Sequence, residues 1–338
     1  MISPFSTGRR SFLRASLLAF PTLVLPSGLL LKRPGGGAEV SRSTYAMGTW
    51  VSIHAFDENT GHVHAAITKA FERLHDLDSM WSIYNSGSDF SRINASAGER
   101  AIPVTQETAS LLRAGVTFSE TTGGLFDCTI EPLMRLWGFR NENRTLPHAP
   151  SDKDIAAALE LVGSQNIYLN PSESMAGLRR TNASIDPGGF AVGFAVDSMV
   201  DILRREGIES ALINHSGDIY ALGAPPESAG WQVAIPSPKD INEPMQSLSL
   251  SNQAISTSGS YHSYVVCDGE RYGHIIETLR GKPAMRFSSV SVIADSSLEA
   301  DVFSTAWFCA DPDTIVKQCG RKRAITLDQN LNFTRFPY

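Results

Sequence analysis

The sequence predicts an α+β fold with mixed sheets and packed helices. Apolar residues return every three or four positions over residues 60–81 (Val63, Ile67, Phe71, Leu74, Leu77, Trp81), the period of a helix. Residues 43–56, "STYAMGTWVSIHAF", alternate instead and are rich in β formers, which predicts a strand. Along the chain, helical and strand patterns mix without the strict βαβ order of a parallel sheet.

After the first helix, "SIYNSGSDFSRINASAGE" has loop composition, and Thr105 can cap a second helix that runs to about residue 120. "TTGGLFDCTIEPLMRLWGF" is a glycine pair followed by an apolar segment, and residues 140–150 form a polar insertion. Ser151 and Asp154 mark a further helix start and Gly163 its end. "NIYLN" and "GLRRTNASID" predict a hairpin with its turn inside 170–176. Residues 186–207 form a helix opened by Pro187 and its glycines and closed by Gly207. Strands follow at 211–214, 217–222, 231–235 and 247–251, and the region to residue 295 is strand-rich. "SSLEADVFSTAWF" (296–308) is the last helix, started by the Ser296/Glu299 pair, and "RAITLD" and "LNFTRF" close the chain as strands. No repeat or low-complexity tract interrupts this order; 140–150 is the best candidate for an internal boundary.

The 338 residues are 42% apolar and 19% charged, with a formal net charge of −6, an ordinary globular balance. After residue 42 the only run of Lys and Arg is "RKR" at 321–323, so a nucleic-acid partner is not indicated. Residues 1–38 differ. Arg9 and Arg10 precede Phe12 and Leu13, a moderately apolar stretch follows, and "KRPGGGAEV" supplies small residues for a peptidase. That order resembles a twin-arginine export signal, which predicts export to the periplasm of a chain folded, and loaded with any cofactor, beforehand. The four cysteines lack metal-ligand spacing; they are either free and buried or, for Cys309 and Cys319, paired after export.

A few polar groups sit where a core would not want them. Asp301 and Thr305 are four apart on the 296–308 helix, so they stack with about 5–6 Å between β-carbons. They could be two hard oxygen ligands for Mg²⁺. Alternatively, Asp301 complements the helix start and Thr305 bonds back to the backbone. Asp186 precedes Pro187-Gly188-Gly189 at a helix start, a place for a diphosphate or simply a capped turn. His274, between Gly273 and Ile275 at the expected start of a buried strand, could accept a proton from a hydroxyl or be a satisfied core histidine. Ser256, Thr257 and Ser258 lie in strand and turn context, and Asp127 follows a glycine pair, where it could bind ligand N–H groups or end a turn.

In order, "MGT" (47–49), "WSIYNSGSDFSRIN" (81–94), "GGLFDCTIEPLMRLWGF" (123–139), "SIDPGGFAVGFAVD" (184–197), "INHSGDIYALG" (213–223), "AISTSGSY" (254–261), "HIIETLRGKPA" (274–284) and "SVSVIADSSLEADVFST" (289–305) resemble the ApbE family of flavin transferases. The resemblance spans roughly residues 43–310. It implies a single domain over 39–338, an α+β fold around a flavin cleft, FAD as substrate, and Mg²⁺ on the diphosphate. It also implies transfer of FMN to a Thr or Ser of an acceptor flavoprotein, such as a respiratory membrane protein, with release of AMP. Carried over residue by residue, Met47, Tyr84, Leu125, Phe126, Asp127, Asp186 and Ile275 would contact FAD. The Gly189 backbone, Asp301 and Thr305 would hold the metal, and His274 would be the base.

Three departures stand out. Val192 replaces a charged residue and removes a ligand contact; Glu277-Thr278 replaces Asp-Pro after His274-Ile275-Ile276; and Ser304 replaces a second acid in the metal set. They keep open a non-catalytic FAD carrier, beside an FAD pyrophosphatase that gives FMN and AMP without an acceptor.

Overall fold

In the computed structural model, which describes residues 37–170, 172, 174–237, 244–261 and 263–337, the chain is built on one large antiparallel sheet. The twin-arginine segment, residues 1–36, lies outside the described residues. The elements, in order, are β1 Ala38–Ala46, β2 Thr49–Asp57, α1 Thr60–Trp81, α2 Asp89–Ala95, β3 Ile102–Pro103, α3 Gln106–Thr121, α4 Glu131–Leu136, β4 Thr145–Leu146, α5 Asp152–Leu159, β5 Ile167–Asn170, β6 Met175–Leu178 and α6 Ala191–Arg205. Then come β7 Ser210–His215, β8 Asp218–Leu222, β9 Trp231–Pro236, β10 Pro244–Leu250, β11 Gln253–Gly259, β12 Tyr264–Cys267, β13 Glu270–Gly273, β14 Ile276–Glu277, β15 Lys282–Pro283, β16 Phe287–Ala294, α7 Ser297–Phe308, α8 Pro312–Gln318, β17 Arg323–Asp328 and β18 Phe333–Phe336.

Eight strands pair in the order β1-β2-β7-β8-β11-β16-β17-β18. Period-2 alternation sorts their side chains. Val51, Ile53, Ala55, Ile213, Val290 and Val292 pack under α1, α6 and α7. On the opposite face Leu212, Ile219, Ile255, Ile293 and Ile325 meet the β9–β10 ribbon through Trp231, Val233 and Leu250. A smaller apolar cluster joins Leu133, Trp137 and Ile155 of the α4–α5 region to Val265 of β12, and β4 pairs with β12.

The predicted single strand over 43–56 is two strands. Met47 (φ 49°) and Gly48 (φ 84°) fold it back on itself as a two-residue hairpin turn, with Ala46 opposite Thr49. The 82–99 loop contains α2, capped by the Ser88 hydroxyl. The helix expected to be last is followed by α8, which Asp311 caps.

Capping places α7 closely. Ser296 Oγ accepts from the Glu299 N–H at 3.1 Å, as the capping pair predicts. Asp197 of α6 accepts from the Ser297 and Leu298 N–H groups at 2.7 and 2.9 Å. Burial pushes the Asp197 carboxyl up to about 6. At Gly193 the two helices touch: a β-carbon there would stand 2.6 Å from the Ser297 carbonyl oxygen. The other face of α7 rests on β11 and β16, so the helix is buried almost all round rather than along one apolar side.

Candidate functional site

A cleft of about 300 Å³ opens between α7, the start of α6 and the ends of β8 and β11. Leu125, Phe126, Asp127, Asp186, Gly189, His274, Ile275, Asp301 and Thr305 all line it. A second cleft of about 210 Å³ is lined by Met47, Tyr84, Arg140 and Val192. The two share Asp186 and Gly188, so the residues expected to touch FAD are divided between two adjacent hollows.

Asp301 is buried, and its Oδ2 accepts from the Gly193 N–H at 3.0 Å. Burial first, and the neighbouring Asp218 carboxylate second, push its carboxyl well above the usual range. Asp218 is pushed up to about 7 by burial, against a lowering hydrogen bond from Ser256. Thr305, a turn after Asp301, faces Gly189. That glycine has φ +78°, and a β-carbon on it would sit 3.2 Å from Thr305 Oγ1. Glycine therefore keeps open the space between its own backbone and the threonine.

Ser304 departs from expectation. Its hydroxyl donates back to the Asp301 carbonyl at 2.9 Å and meets Ser258 and Ser256 at 2.9 and 3.2 Å. It stands behind the cleft wall, tying α7 to β11, and so is not among the oxygens facing the cleft. Ser258 reaches Thr305 Oγ1 at 3.4 Å.

Other residues are committed to the protein's own frame. Asp127 accepts from Ser119 Oγ, the Ser164 N–H, and both the N–H and hydroxyl of Thr129, at 2.6–2.9 Å. Its carboxylate thereby fixes the "GGLFD" loop, whose Gly124 carbonyl also accepts from the Thr278 hydroxyl. Asp186 Oδ1 accepts from the Gly188 N–H at 3.0 Å, and Oδ2 pairs with Arg140 at 2.8 Å. Arg140 also grips buried Glu131 at 2.6 Å. Burial alone would lower its pKa; Asp186 and Glu131 together raise it. Arg140→Met is expected to lower unfolding free energy by about 3 kcal/mol in urea, because it leaves buried carboxylates short of a cation.

His274 sits in the bend between β13 and β14, half-buried, not inside a strand. Its Nδ1 lies 3.2 Å from the Ser263 carbonyl, which selects the Nδ1–H tautomer and makes Nε2 the basic nitrogen. All four cysteines are free, Cys309 and Cys319 included.

Among the described residues, no set of three or more His, Cys, Asp or Glu side chains is arranged to hold a metal. The donors on the cleft wall include three oxygens, those of the Asp301 carboxylate, the Thr305 hydroxyl and the Gly189 backbone. Together with the space that Gly189 leaves clear, they fit a hard divalent cation.

Asp218 and Arg140 were not among the residues expected from sequence. Asp218 had a local signal, a carboxylate directly after Ser216-Gly217. That turn has φ 54° and 106°, the geometry of a tight hairpin that delivers the next side chain to the sheet's end.

A sequence model of the ApbE family matches residues 47–326. The FAD:protein FMN transferase of Salmonella typhimurium is 31% identical over 242 residues, covering 70% of this chain and 69% of its own. One from Klebsiella pneumoniae is 28% identical over 309 residues, covering 90% and 88%. Among solved structures, the ApbE protein of Thermotoga maritima aligns with a TM-score of 0.81 at 27% identity, over 88% of this chain and 97% of that one. The apo form of Pseudomonas stutzeri flavinyl transferase ApbE gives 0.76 at 27% identity, over 89% and 96%.

Proposed function

Because this chain belongs to the ApbE family, we propose that it is an FAD:protein FMN transferase, one that splits FAD at the diphosphate and leaves the FMN half on an acceptor hydroxyl. One juxtaposition carries the reading: Asp301, Thr305 and the Gly189 backbone share a cleft with His274, and a second cleft shares Asp186 and Gly188 with it.

FAD straddles the two hollows, with its diphosphate near the start of α6, where the helix dipole favours anions. Tyr84, exposed at the mouth of the second cleft, offers a ring face for a flat heterocycle. Asp301, Thr305 and the Gly189 backbone would hold Mg²⁺, which would supply positive charge against the diphosphate. His274 Nε2 takes the proton from a Thr or Ser hydroxyl of the acceptor. The freed oxygen bonds to the phosphorus on the FMN side. The bond from that phosphorus to the bridging oxygen breaks, and AMP leaves with the oxygen.

The test combines purified protein, FAD, Mg²⁺ and a threonine-bearing segment of a respiratory membrane flavoprotein. Covalent flavin fluorescence on the acceptor, with one AMP per flavin, is expected. FMN and AMP formed without acceptor would mean a pyrophosphatase. FAD left intact throughout would mean a carrier, the reading that uncharged Val192 favours.

The same reading sends the chain to the periplasm by the twin-arginine route. Arg9→Lys with Arg10→Lys is expected to hold it in the cytoplasmic fraction, and undiminished export by the double variant would remove this part.

A further inference from the structure

We propose that Asp218 is a second carboxylate ligand of the cation site and brings to it the charge that Ser304 does not. The inference rests on the transferase reading above and assigns a residue within that site. Asp218 opens β8, the strand beside β11, and lines the same cleft as Asp301 and Thr305. Its Oδ1 is shut off from solvent and accepts no hydrogen bond among the described residues. Ser256 engages the carboxylate by a side-chain hydrogen bond, and Ser256 in turn meets Ser304.

Two buried carboxylates side by side, one with an oxygen that accepts no hydrogen bond, can both be ionised only at a cost in free energy unless a cation lies between them. The alternatives near Asp218 are few. Ser256, Ser258, Ser304 and Thr305 are neutral hydroxyls, and Arg140 is spent on Glu131 and Asp186. His215, the residue opposite Asp218 in the hairpin, is buried and held neutral, its pKa lowered to about 4 by burial. A divalent cation is the one partner that would satisfy both carboxylates and also meet the Thr305 hydroxyl and the Gly189 backbone. The turn at Ser216-Gly217 fixes the direction of Asp218: Asn214 Oδ1 accepts from the Gly217 N–H at 3.1 Å, and the Ser216 hydroxyl bonds that of Thr49.

The test is Mn²⁺ binding to the full protein, followed by electron paramagnetic resonance in the presence of ADP, which offers a diphosphate that cannot be transferred. Asp218→Asn is expected to weaken Mn²⁺ at least tenfold, and Asp218→Glu less, since it keeps the charge. Without metal, and at about pH 8 or above where Asp218 is ionised, Asp218→Asn should bind ADP more tightly, because one negative charge facing the diphosphate is gone; a purely structural role would not move that value. Mn²⁺ affinity within twofold of wild type in Asp218→Asn overturns the inference. So does equal weakening in Asp218→Asn and Asp218→Glu with native circular dichroism. Should Asp218→Asn not fold, Asp218→Glu against wild type decides alone: unchanged Mn²⁺ affinity and metal preference overturn it. Failure of the transferase reading looks different, as wild-type protein that binds Mn²⁺ normally yet transfers no flavin.

Discussion

Asp301→Asn is expected to lower flavin transfer by about 10³-fold or more, since on the proposed reading it removes the charge that would hold the cation against the diphosphate. The fold should survive. The amide oxygen can still accept from the Gly193 N–H, and the neutral group no longer has to ionise beside Asp218 in a buried wall. Metal-free protein gives the sign a second check. Burial raises the folded-state pKa of both Asp301 and Asp218 above the unfolded value of about 3.9. The folded chain therefore keeps protons that the unfolded chain has released, and this part of its stability is lost as pH rises toward neutrality and through the folded pKa. Urea unfolding at about pH 5 and about pH 8 should show a smaller loss for Asp301→Asn than for wild type. Mg²⁺ should raise the unfolding midpoint of wild type and leave the variant where it was. Transfer by Asp301→Asn above a tenth of the wild-type rate would remove the cation from the mechanism.

His274→Ala is expected to cost about 10²–10⁴ in transfer while FAD binds as before. The side chain's contribution to the chemistry is a basic Nε2, set by the Nδ1 contact to Ser263. A binding titration followed by flavin fluorescence separates the two effects. Unchanged transfer in the variant would exclude His274 as the base, and lost FAD binding would make it a ligand contact instead.

Much of the frame was legible locally. The α1 span follows from apolar spacing, and α3 starts at the Thr105 cap, which accepts as expected; Asn59, which also caps α1, was not singled out. The Ser296/Glu299 pair marks the start of α7 correctly, and the stacking of Asp301 on Thr305 follows from helix geometry alone. The Met47-Gly48 turn was missed because a hairpin of two residues leaves the alternation of its flanks nearly unbroken. Asp218 and Arg140 were harder to see, because their meaning depends on neighbours far along the chain. Asp218 matters because β8 lies beside β11, and Arg140 because its guanidinium crosses to Asp186. Ser304 shows the reverse error: spacing puts it near the metal set, but packing against β11 turns its hydroxyl to other serines.

The meeting of the two hollows at Asp186 and Gly188 has a consequence for turnover. A dinucleotide anchored at both ends enjoys the advantage of a tethered pair, each half keeping the other at high local concentration. Scission at the middle cancels that advantage at once. The departing mononucleotide then has one foothold only, so the enzyme's grip on its substrate need not become a grip on its product.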